Sequence, residues 1–304
     1  MTISTILLTP TDVAGAALRV APYVRRTPVL RTEVDGRPVV LKLEHLQRTG
    51  SFKLRGAVNA VVGGSGPEHV VTASGGNHGL AVATAAGLLS LPATVFVPVT
   101  APEGKARRIA ATGARLVRHG TIYAEAVAGA LDEAAAVGGR CVPAYDDPLV
   151  VAGQGTCALE VTEQVPEVDT VVVGVGGGGL IAGTVLAAGG RTVVAVEPEH
   201  CCCLHNALAA GTPVDSAVDS VAASALGATR VGDVPFGVLR DSGVRSVVVG
   251  DQEILAARDR LWEEFRLAVE PAAAASFAAF LAGLVPGELP CLVLSGSNTD
   301  WSPA

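Results

Sequence analysis

At residues 49–56 the chain reads Thr49-Gly50-Ser51-Phe52-Lys53-Leu54-Arg55-Gly56. The stretch joins a predicted strand at residues 39–44 to a predicted helix at residues 52–62. A lysine at the mouth of a helix, beside an aromatic side chain, is partly desolvated and near the positive end of the helix dipole. Both effects disfavour the ammonium form. A neutral amine can form an imine with an aldehyde cofactor. An isolated Ser-x-Lys is more often an ordinary first-turn residue, so the role of Lys53 depends on the motifs that follow.

The composition indicates a well-packed protein with room for two domains. Its 304 residues are 49% hydrophobic and 17% charged, and this length is comfortable for two domains. The net charge of -7 offers no basic footprint for nucleic acid, and no basic cluster suggests a membrane surface. Residues 1–10 lack the basic leader and hydrophobic core of a secretory signal. We therefore expect a cytoplasmic protein that acts on small molecules.

Short apolar runs alternate with helical patterns along the chain, which predicts an α/β fold with parallel sheets covered by helices. A glycine-rich break at residues 63–67 and a return near residues 141–148 predict a small mobile domain at 67–144. The large domain then comprises residues 1–66 and 145–304. Helices are predicted at 11–21, 80–88, 102–111, 121–137, 151–164, 180–188, 251–265 and 272–284, and strands at 70–73, 94–98, 114–119, from 170, and at 193–196, 246–249 and 291–294. Residues 211–245 have a weak pattern, with a short helix near 235–240.

Two turns are suited to anions. Ser74-Gly75-Gly76-Asn77-His78-Gly79 opens a predicted helix, where unpaired backbone N–H groups can meet a carboxylate. On its own this loop is more often a plain strand-to-helix turn. The loop Gly174-Val175-Gly176-Gly177-Gly178-Gly179-Leu180 strongly indicates phosphate binding, because glycines let the backbone approach closely. It also satisfies a dinucleotide fingerprint, with Glu197 following the next strand, so a nicotinamide-dependent oxidoreductase remains an alternative.

Taken together, these motifs resemble the pyridoxal-phosphate enzymes of fold type II, in the branch of threonine/serine dehydratases and serine racemase. Further matches are Gly153-Gln154-Gly155-Thr156 and Ser295-Gly296-Ser297-Asn298, and the resemblance covers nearly the whole chain. It implies a two-domain fold similar to the tryptophan synthase β subunit and the cofactor pyridoxal 5'-phosphate. It also implies that Lys53 anchors the cofactor and acts as general base.

The resemblance assigns further roles by position. The implied cofactor-binding residues are Phe52, Lys53, Asn77, Gly176, Gly177, Gly178, Gly179, Leu180 and Ser295. The implied substrate-binding residues are Ser74, Gly75, Gly76, Asn77 and His78. Asn77 would contact the phenolic oxygen of the cofactor, Ser295 its pyridine nitrogen, and Gln154 would have a supporting role. Because Gly75 stands where racemases of the family have a proton-transferring serine, we expect little racemase activity.

No metal site is predicted. In some members of the family a cation binds at the position of Glu197, a carbonyl four residues on and an acid two beyond that. Here the pattern gives Glu197, Cys201 and Cys203, so a thiol replaces the last oxygen ligand, and a hard cation prefers oxygen to a thiol. Whether a cation binds near Glu197 is open at this point. The run Cys201-Cys202-Cys203 also lacks zinc spacing, so we expect reduced thiols.

The expected activity is dehydration and deamination of L-threonine, L-serine or a related β-hydroxy amino acid to a 2-oxo acid and ammonia. A β-replacement synthase, an amino-acid racemase on the same cofactor and a non-catalytic metabolite-binding protein remain open. Which hydroxy amino acid is preferred is also open. The family is commonly dimeric or tetrameric, so a homodimer or homotetramer is expected, with no nucleic-acid or membrane partner. The chain ends soon after Ser295, so feedback inhibition through a C-terminal effector domain is not expected.

Overall fold

The computed structural model of the protein describes residues 8–64, 66–101 and 103–301, except for the side chain of Lys105. Most of the segment used to judge a secretory signal lies outside these ranges. So do Ser65, within the predicted domain crossing, and Pro102, the predicted start of a helix.

The described residues form two sheets, as the alternating pattern predicts. The strands are β1 (Val29–Val34), β2 (Arg37–Lys42), β3 (Val70–Ala73), β4 (Ala93–Val97), β5 (Arg115–Arg118), β6 (Arg140–Cys141), β7 (Thr170–Gly174), β8 (Thr192–Pro198), β9 (Arg245–Val249) and β10 (Pro290–Val293). The larger sheet has the order β1-β2-β10-β7-β8-β9, and the smaller sheet has the order β5-β4-β3-β6. Apart from the antiparallel pair β1–β2, every pairing of these strands is parallel.

Helices cover both sheets. They are α1 (Pro10–Val20), α2 (Lys53–Val62), α3 (Asn77–Leu88), α4 (Glu103–Ala110), α5 (Tyr123–Ala136), α6 (Pro148–Gln164), α7 (Gly179–Ala187), α8 (Cys203–Ala210), α9 (Ala223–Leu226), α10 (Asp233–Leu239), α11 (Asp251–Phe265) and α12 (Pro271–Leu281). None of these helices is long and apolar enough to cross a bilayer. The α/β class and the parallel, helix-covered sheets are thus confirmed.

One helix begins earlier than predicted because polar residues form its first turn. Helix α3 begins at Asn77 rather than at residue 80, so Asn77 and His78 belong to its first turn. Helices α8 and α9 were not predicted: α8 is a short segment just before the weakly patterned residues 211–245, and α9 is a four-residue helix within them. All strands of the smaller sheet fall within residues 67–144, but α2 packs against α3 from outside that range. The division into two domains stays a prediction.

The core explains the apolar runs. Every residue of β3, β4, β7 and β10 is buried, as expected for parallel strands covered on both faces. One apolar cluster packs α6, α7 and α10 on one face of the larger sheet, and a second packs α11 and α12 on the other. The carboxyl ends of β3, β7 and β10 consequently lead into turns at protected positions.

A buried cluster of ion pairs fixes the helix that begins at Lys53. The Arg55 guanidinium donates from Nε and Nη2 to Glu44 at 2.5 and 3.0 Å, and from Nη1 to Glu160 at 2.7 Å. Lys42 Nζ also donates to Glu160, at 2.7 Å. The side chains of Lys42, Glu44 and Arg55 are 0% exposed. Burial raises the pKa of Glu44, but the charge and hydrogen bonds of Arg55, the charge of Lys42 and the hydrogen bond from Thr27 together outweigh this effect, so the pKa lies below its ordinary value. The cluster holds α2 against β2 and α6.

We expect Arg55→Met to lower the free energy of unfolding by about 3–5 kcal/mol, because it leaves the Glu44 carboxylate buried without its partner. Urea unfolding followed by circular dichroism measures the loss. The matched control is Arg240→Met, whose ion pair with Asp241 is exposed and contributes about 1 kcal/mol or less. Equal effects of the two substitutions would contradict the role of the cluster.

Candidate active site

A cavity of about 450 Å³ lies where the turns of the two sheets meet. Every site residue expected from the sequence lines it: Phe52, Lys53, Ser74, Gly75, Gly76, Asn77, His78, Gly176, Gly177, Gly178, Gly179, Leu180 and Ser295. Four stretches that are far apart in the sequence therefore share one cavity. Its volume is in the range of pockets that hold cofactors and small ligands.

Lys53 presents a partly neutral amine to this cavity. Its Nζ donates a hydrogen bond to the carbonyl oxygen of Ala144 at 2.9 Å and lies 5.1 Å from the centre of the Phe52 ring. Burial lowers the pKa of Lys53 from 10.5 to about 8, although the charge of Glu270 opposes the shift. At pH 7.5 roughly a quarter of such amines are neutral, against roughly one in a thousand for an ordinary lysine. Lys53 is thus the group in the cavity best suited to nucleophilic or base chemistry.

In the loop between β7 and α7, side chains at the positions of Gly176, Gly177 and Gly178 would collide with neighbouring residues. A Cβ atom on Gly177 would lie 2.2 Å from Cδ1 of Tyr145, and one on Gly176 would lie 3.1 Å from Cα of Leu226. Gly178 has φ +96° and would place a Cβ atom 2.8 Å from Pro235, so glycine is favoured there twice over. The loop ends at the N-terminus of α7, where free N–H groups and the helix dipole favour a phosphate.

The asparagine loop between β3 and α3 is equally tight. A Cβ atom on Gly79 would lie 1.9 Å from the carbonyl oxygen of Ser74, and the Ser74 hydroxyl accepts from Gly76 N at 3.2 Å. The N–H groups of the first turn of α3 lie at this loop. Asn77 Nδ2 donates to Glu270 Oε1 at 2.8 Å. The loop therefore places helix-terminal N–H groups and one oriented amide at the cavity.

His78 is held as a neutral side chain. Its Nε2 is 3.0 Å from the carbonyl oxygen of Val142, which can only accept, so Nε2 carries the proton. Burial and the charge of Lys53 lower the pKa of His78 to about 3. The ring therefore brings no positive charge to an anion. Contacts to a substrate carboxylate at this loop fall mainly to the backbone N–H groups.

Ser295 closes the cavity from the larger sheet. It follows β10, is 5% exposed, and its carbonyl oxygen accepts from Phe52 N at 3.1 Å. This bond connects the turn after β10 to the residue before Lys53. A neutral hydroxyl thus stands at the position where the resemblance expects the pyridine nitrogen.

Glu197 is used within the fold. Its two carboxylate oxygens accept from Leu204 N and His205 N, each at 2.8 Å, at the start of α8. Burial raises the pKa of Glu197 to about 7, against the lowering effect of these two bonds. A carboxylate that holds the start of α8 does not serve the ribose of a dinucleotide. The hypothesis of a nicotinamide-dependent oxidoreductase therefore lacks the acidic residue that would bind the ribose of the dinucleotide.

The thiols near Glu197 do not form a site for a hard cation. Cys203 Sγ donates to the carbonyl oxygen of Gly176 and Cys201 Sγ to that of Leu226, each at 3.3 Å. Burial raises their pKa values to about 12 and about 11, so both stay protonated. Within the ranges that the structure describes, no three His, Cys, Asp or Glu side chains are grouped to hold a metal. The Cys203 thiol, at the position where some members of the family have an acid, is thus a protonated sulfur bonded within the fold and does not replace that oxygen ligand.

Some lining residues had no signal in the sequence. Tyr123, Ala144 and Tyr145 come from the smaller sheet and its return crossing, and residues 223–229 come from the turn-rich segment. Gln154 does not line the cavity; its Oε1 accepts from Gly56 N at 3.2 Å and supports the first turn of α2. The position of Tyr145 against the glycine loop could be found only from the packing.

Comparison with known proteins identifies the family. Residues 20–296 match the family described as pyridoxal-phosphate dependent enzyme. The chain belongs to this family. The L-threonine ammonia-lyase of Thermotoga maritima is 35% identical over 97% of this chain and 76% of its own length. Serine racemase of Arabidopsis thaliana is 34% identical over 93% of this chain and 90% of its own. The crystal structure of a threonine deaminase from T.th. has a TM-score of 0.92 at 34% identity, covering 97% of this chain and 100% of that one.

The expectations of a pyridoxal-phosphate enzyme and of a dehydratase-like lyase are thereby confirmed. The residues of the cavity also fit pyridoxal phosphate, independently of the comparison with relatives. The cavity combines a glycine cradle at a helix N-terminus, which suits the phosphate, with a buried amine of lowered pKa, which suits the aldehyde.

We expect Gly177→Ala in this pyridoxal-phosphate enzyme to weaken cofactor binding at least about fivefold. The added methyl group would overlap the Tyr145 ring and displace either the ring or the loop; overpacking of this kind costs about 1–3 kcal/mol. Titration of the apo-protein with pyridoxal phosphate gives the dissociation constant. Gly237→Ala, at a helical glycine with nothing within 4 Å of a Cβ atom, is the control and should leave it unchanged. An unchanged affinity in Gly177→Ala would contradict the assignment of the loop.

Proposed function

We propose that this enzyme is an ammonia-lyase of the dehydratase type, which converts L-threonine, L-serine or a related β-hydroxy amino acid to a 2-oxo acid and ammonia. The observation that carries the proposal is the opening of Lys53 onto the same cavity as the glycine loop and the asparagine loop. The names of the relatives point to the same chemistry.

The proposed roles follow the position of each group. Lys53 anchors the cofactor, the N–H groups of Gly176–Gly179 and Leu180 hold its phosphate, and Phe52, Asn77 and Ser295 hold its ring. The backbone of residues 74–78 receives the substrate carboxylate. In this arrangement the β-hydroxyl group of the substrate faces the remaining lining residues of the cavity.

Lys53 is the proposed general base. Pyridoxal phosphate, when bound, supplies an electron sink that makes the α-proton of an amino acid acidic. The neutral amine of Lys53 removes this proton, because burial keeps its pKa near the working pH. The β-hydroxyl leaves with one proton as water, which balances the proton taken up by Lys53, and hydrolysis of the resulting enamine consumes one water and gives the 2-oxo acid and ammonia. Ser295 is neutral and does not hold a proton on a pyridine nitrogen as an acid would, which favours prompt β-elimination.

Racemisation requires a second proton-transferring group on the opposite face. Gly75 lies in the asparagine loop and has no side chain that could move a proton. We therefore propose that the elimination is much faster than any exchange of enantiomers.

We extend the proposal to the setting of the enzyme on the strength of the family resemblance. Residues 67–144 form a small mobile domain, the chain assembles as a homodimer or homotetramer, and it works in the cytoplasm. The separate smaller sheet, β3 to β6, supports the first of these statements.

The test of the function is made on the purified full chain loaded with pyridoxal phosphate. We expect a visible absorption band that borohydride abolishes, leaving the cofactor on the peptide that contains Lys53. With L-threonine and L-serine we expect 2-oxobutanoate and pyruvate, and we expect Lys53→Ala and Lys53→Arg to lose the product at least about 1000-fold.

Three results would overturn the proposal in different ways. Label on the peptide of Lys42 or Lys105 would remove the assignment of Lys53. Consumption of an activated serine and a thiol without a 2-oxo acid would indicate a β-replacement synthase. Interconversion of serine enantiomers as fast as pyruvate release would indicate a racemase.

The pKa of Lys53 predicts how cofactor uptake depends on pH. Only the neutral amine attacks the aldehyde, so the rate of uptake by the apo-protein should rise with pH, with a midpoint near 8. Glu270→Gln should move the midpoint to lower pH, because the charge of Glu270 raises the pKa of Lys53. Stopped-flow absorbance from about pH 6 to about pH 10 spans both midpoints. A midpoint near the ordinary lysine value of 10.5 would contradict the burial effect.

A further inference from the structure

The side chain of Asn77 lies between two turns of the larger sheet. Its Nδ2 donates to Glu270 Oε1 at 2.8 Å, and its Oδ1 accepts from Asn298 Nδ2 at 2.8 Å. Asn77 belongs to the smaller sheet and α3, whereas Glu270 precedes α12 and Asn298 follows β10. The amide therefore joins the two halves of the cavity.

The chemistry of the partners allows this amide only one orientation. A carboxylate oxygen accepts hydrogen bonds, and an amide nitrogen donates them. Reversing the Asn77 amide would set its oxygen against the Glu270 carboxylate and its nitrogen against the Asn298 nitrogen. The observed orientation leaves the second N–H of Asn77 for a ligand in the cavity that Asn77 lines.

Asn298 is itself fixed to the turn that precedes Lys53. Its Nδ2 also donates to the carbonyl oxygen of Thr49 at 2.7 Å. Gly50 has φ +72°, and a Cβ atom on it would lie 2.8 Å from Asn298 Oδ1. Ser297 N donates to the carbonyl oxygen of Gly50 at 2.8 Å. Asn298 therefore has little freedom to turn away from Asn77.

Glu270 is fixed in a similar way. Its N–H donates to the carbonyl oxygen of Gly296 at 3.1 Å. Its carboxylate lies so close to Gly296 that a Cβ atom there would be 2.3 Å from Oε1. The residue is 4% exposed. Both partners of Asn77 are thus packed closely against a glycine of a neighbouring turn: Asn298 against Gly50 and Glu270 against Gly296.

The turn at residues 295–298 also holds the segment that precedes Lys53. Ser51 forms an isolated β-bridge with Gly296, and Phe52 N donates to the carbonyl oxygen of Ser295 at 3.1 Å. A displacement of the turn at residues 295–298 would therefore move the turn before Lys53 and the partner of Asn77 together.

We propose that Asn298 and Glu270 are positioning residues that set the Asn77 amide against the lysine turn and thereby align the two halves of the cofactor site. They act through Asn77, and the proposal rests on the proposed function only in taking Asn77 as a cofactor ligand. Glu270 is buried, whereas Asn77 and Asn298 are partly buried, so water competes for these contacts less than it would on an open surface.

A second contact across the same boundary provides a control. Arg108 of α4 pairs with Asp300 at 3.4 Å, but their side chains are 38% and 78% exposed. Exposed pairs of this kind contribute little. Asp300→Ala therefore removes a link between the two halves without touching Asn77.

The first experiment is a double-mutant cycle on cofactor affinity, measured on the full chain at about pH 9, where Lys53 is mostly neutral. We expect Asn298→Ala to raise the dissociation constant of pyridoxal phosphate about 5–10-fold, as for the loss of a partly buried hydrogen bond. The double variant Asn77→Ala/Asn298→Ala should match Asn77→Ala within about twofold, since Asn298 acts through Asn77. Asp300→Ala should stay within about twofold of the parent. Factors that multiply in the double variant would overturn the proposal.

Glu270 is tested by a matched pair in the same assay. Glu270→Gln keeps an oxygen that can accept from Asn77, so its affinity at the same pH should stay within about threefold of the parent. Glu270→Ala has no acceptor and should lose about 5–10-fold. Equal losses in the two variants would mean that the charge of Glu270, and not its contact with Asn77, supports binding.

Hydrogen–deuterium exchange of the apo-protein tests the positioning without any cofactor. In Asn298→Ala and Glu270→Ala we expect residues 74–80 to exchange at least about threefold faster, while Asp300→Ala leaves them unchanged. This readout stands even if Lys53 is not the anchor, so failure of the proposed function and failure of the positioning role are distinguishable. Unchanged exchange in both alanine variants would overturn the positioning role. If Asn298→Ala does not fold, the isosteric Asn298→Asp, which lacks both donated bonds, takes its place with the same expected outcome.

Discussion

The site depends on one buried cluster of charges. The buried Arg55 guanidinium bonds to the buried Glu44 and to the largely buried Glu160, and Lys42 completes the balance of charge. A buried charge is tolerated only with its partners in good geometry, so α2 has little freedom to shift along β2 or α6. Lys53 is the first residue of that helix. The position of the reactive amine is thus set by charges on the far side of the same helix turn.

Burial also sets the chemistry of the groups around the cavity, with opposite signs for bases and acids. It lowers the pKa of Lys53 to about 8 and of His78 to about 3, because the charged forms of these bases lose their hydration. It raises the pKa of Glu197 to about 7 and of Cys203 to about 12 for the same reason. The outcome is a neutral imidazole, protonated thiols and an amine near its titration point. Lys53 lines the cavity with a pKa near neutral, whereas the Glu197 carboxylate, whose pKa is also near neutral, accepts two backbone N–H bonds at the start of α8 and is not among the lining residues.

The two sheets bring anion-binding turns to face each other. The turn after β3 and the turn after β7 each lead into a helix N-terminus, and the turn after β10 carries Ser295. In parallel sheets such turns gather at the carboxyl ends of the strands, which is where open α/β folds bind ligands. Asn77 then connects the smaller sheet to the larger one through two hydrogen bonds. The cavity is therefore formed by the two sheets of the chain together, and neither sheet forms it alone.

The sequence by itself determined the motifs, their order and the class of fold. Glycines at 176–179 and a lysine at a helix start are local demands of backbone and charge, and the apolar runs of β3, β7 and β10 are a local sign of parallel strands. Short helices such as α8 have no clear periodicity and were missed. Only the tertiary structure decided that Tyr145 lies against Gly177, that Glu197 holds the start of α8, and that Asn77 meets partners 193 and 221 residues away. Such contacts arise from the packing of one sheet against the other, and no local pattern of residues records that packing.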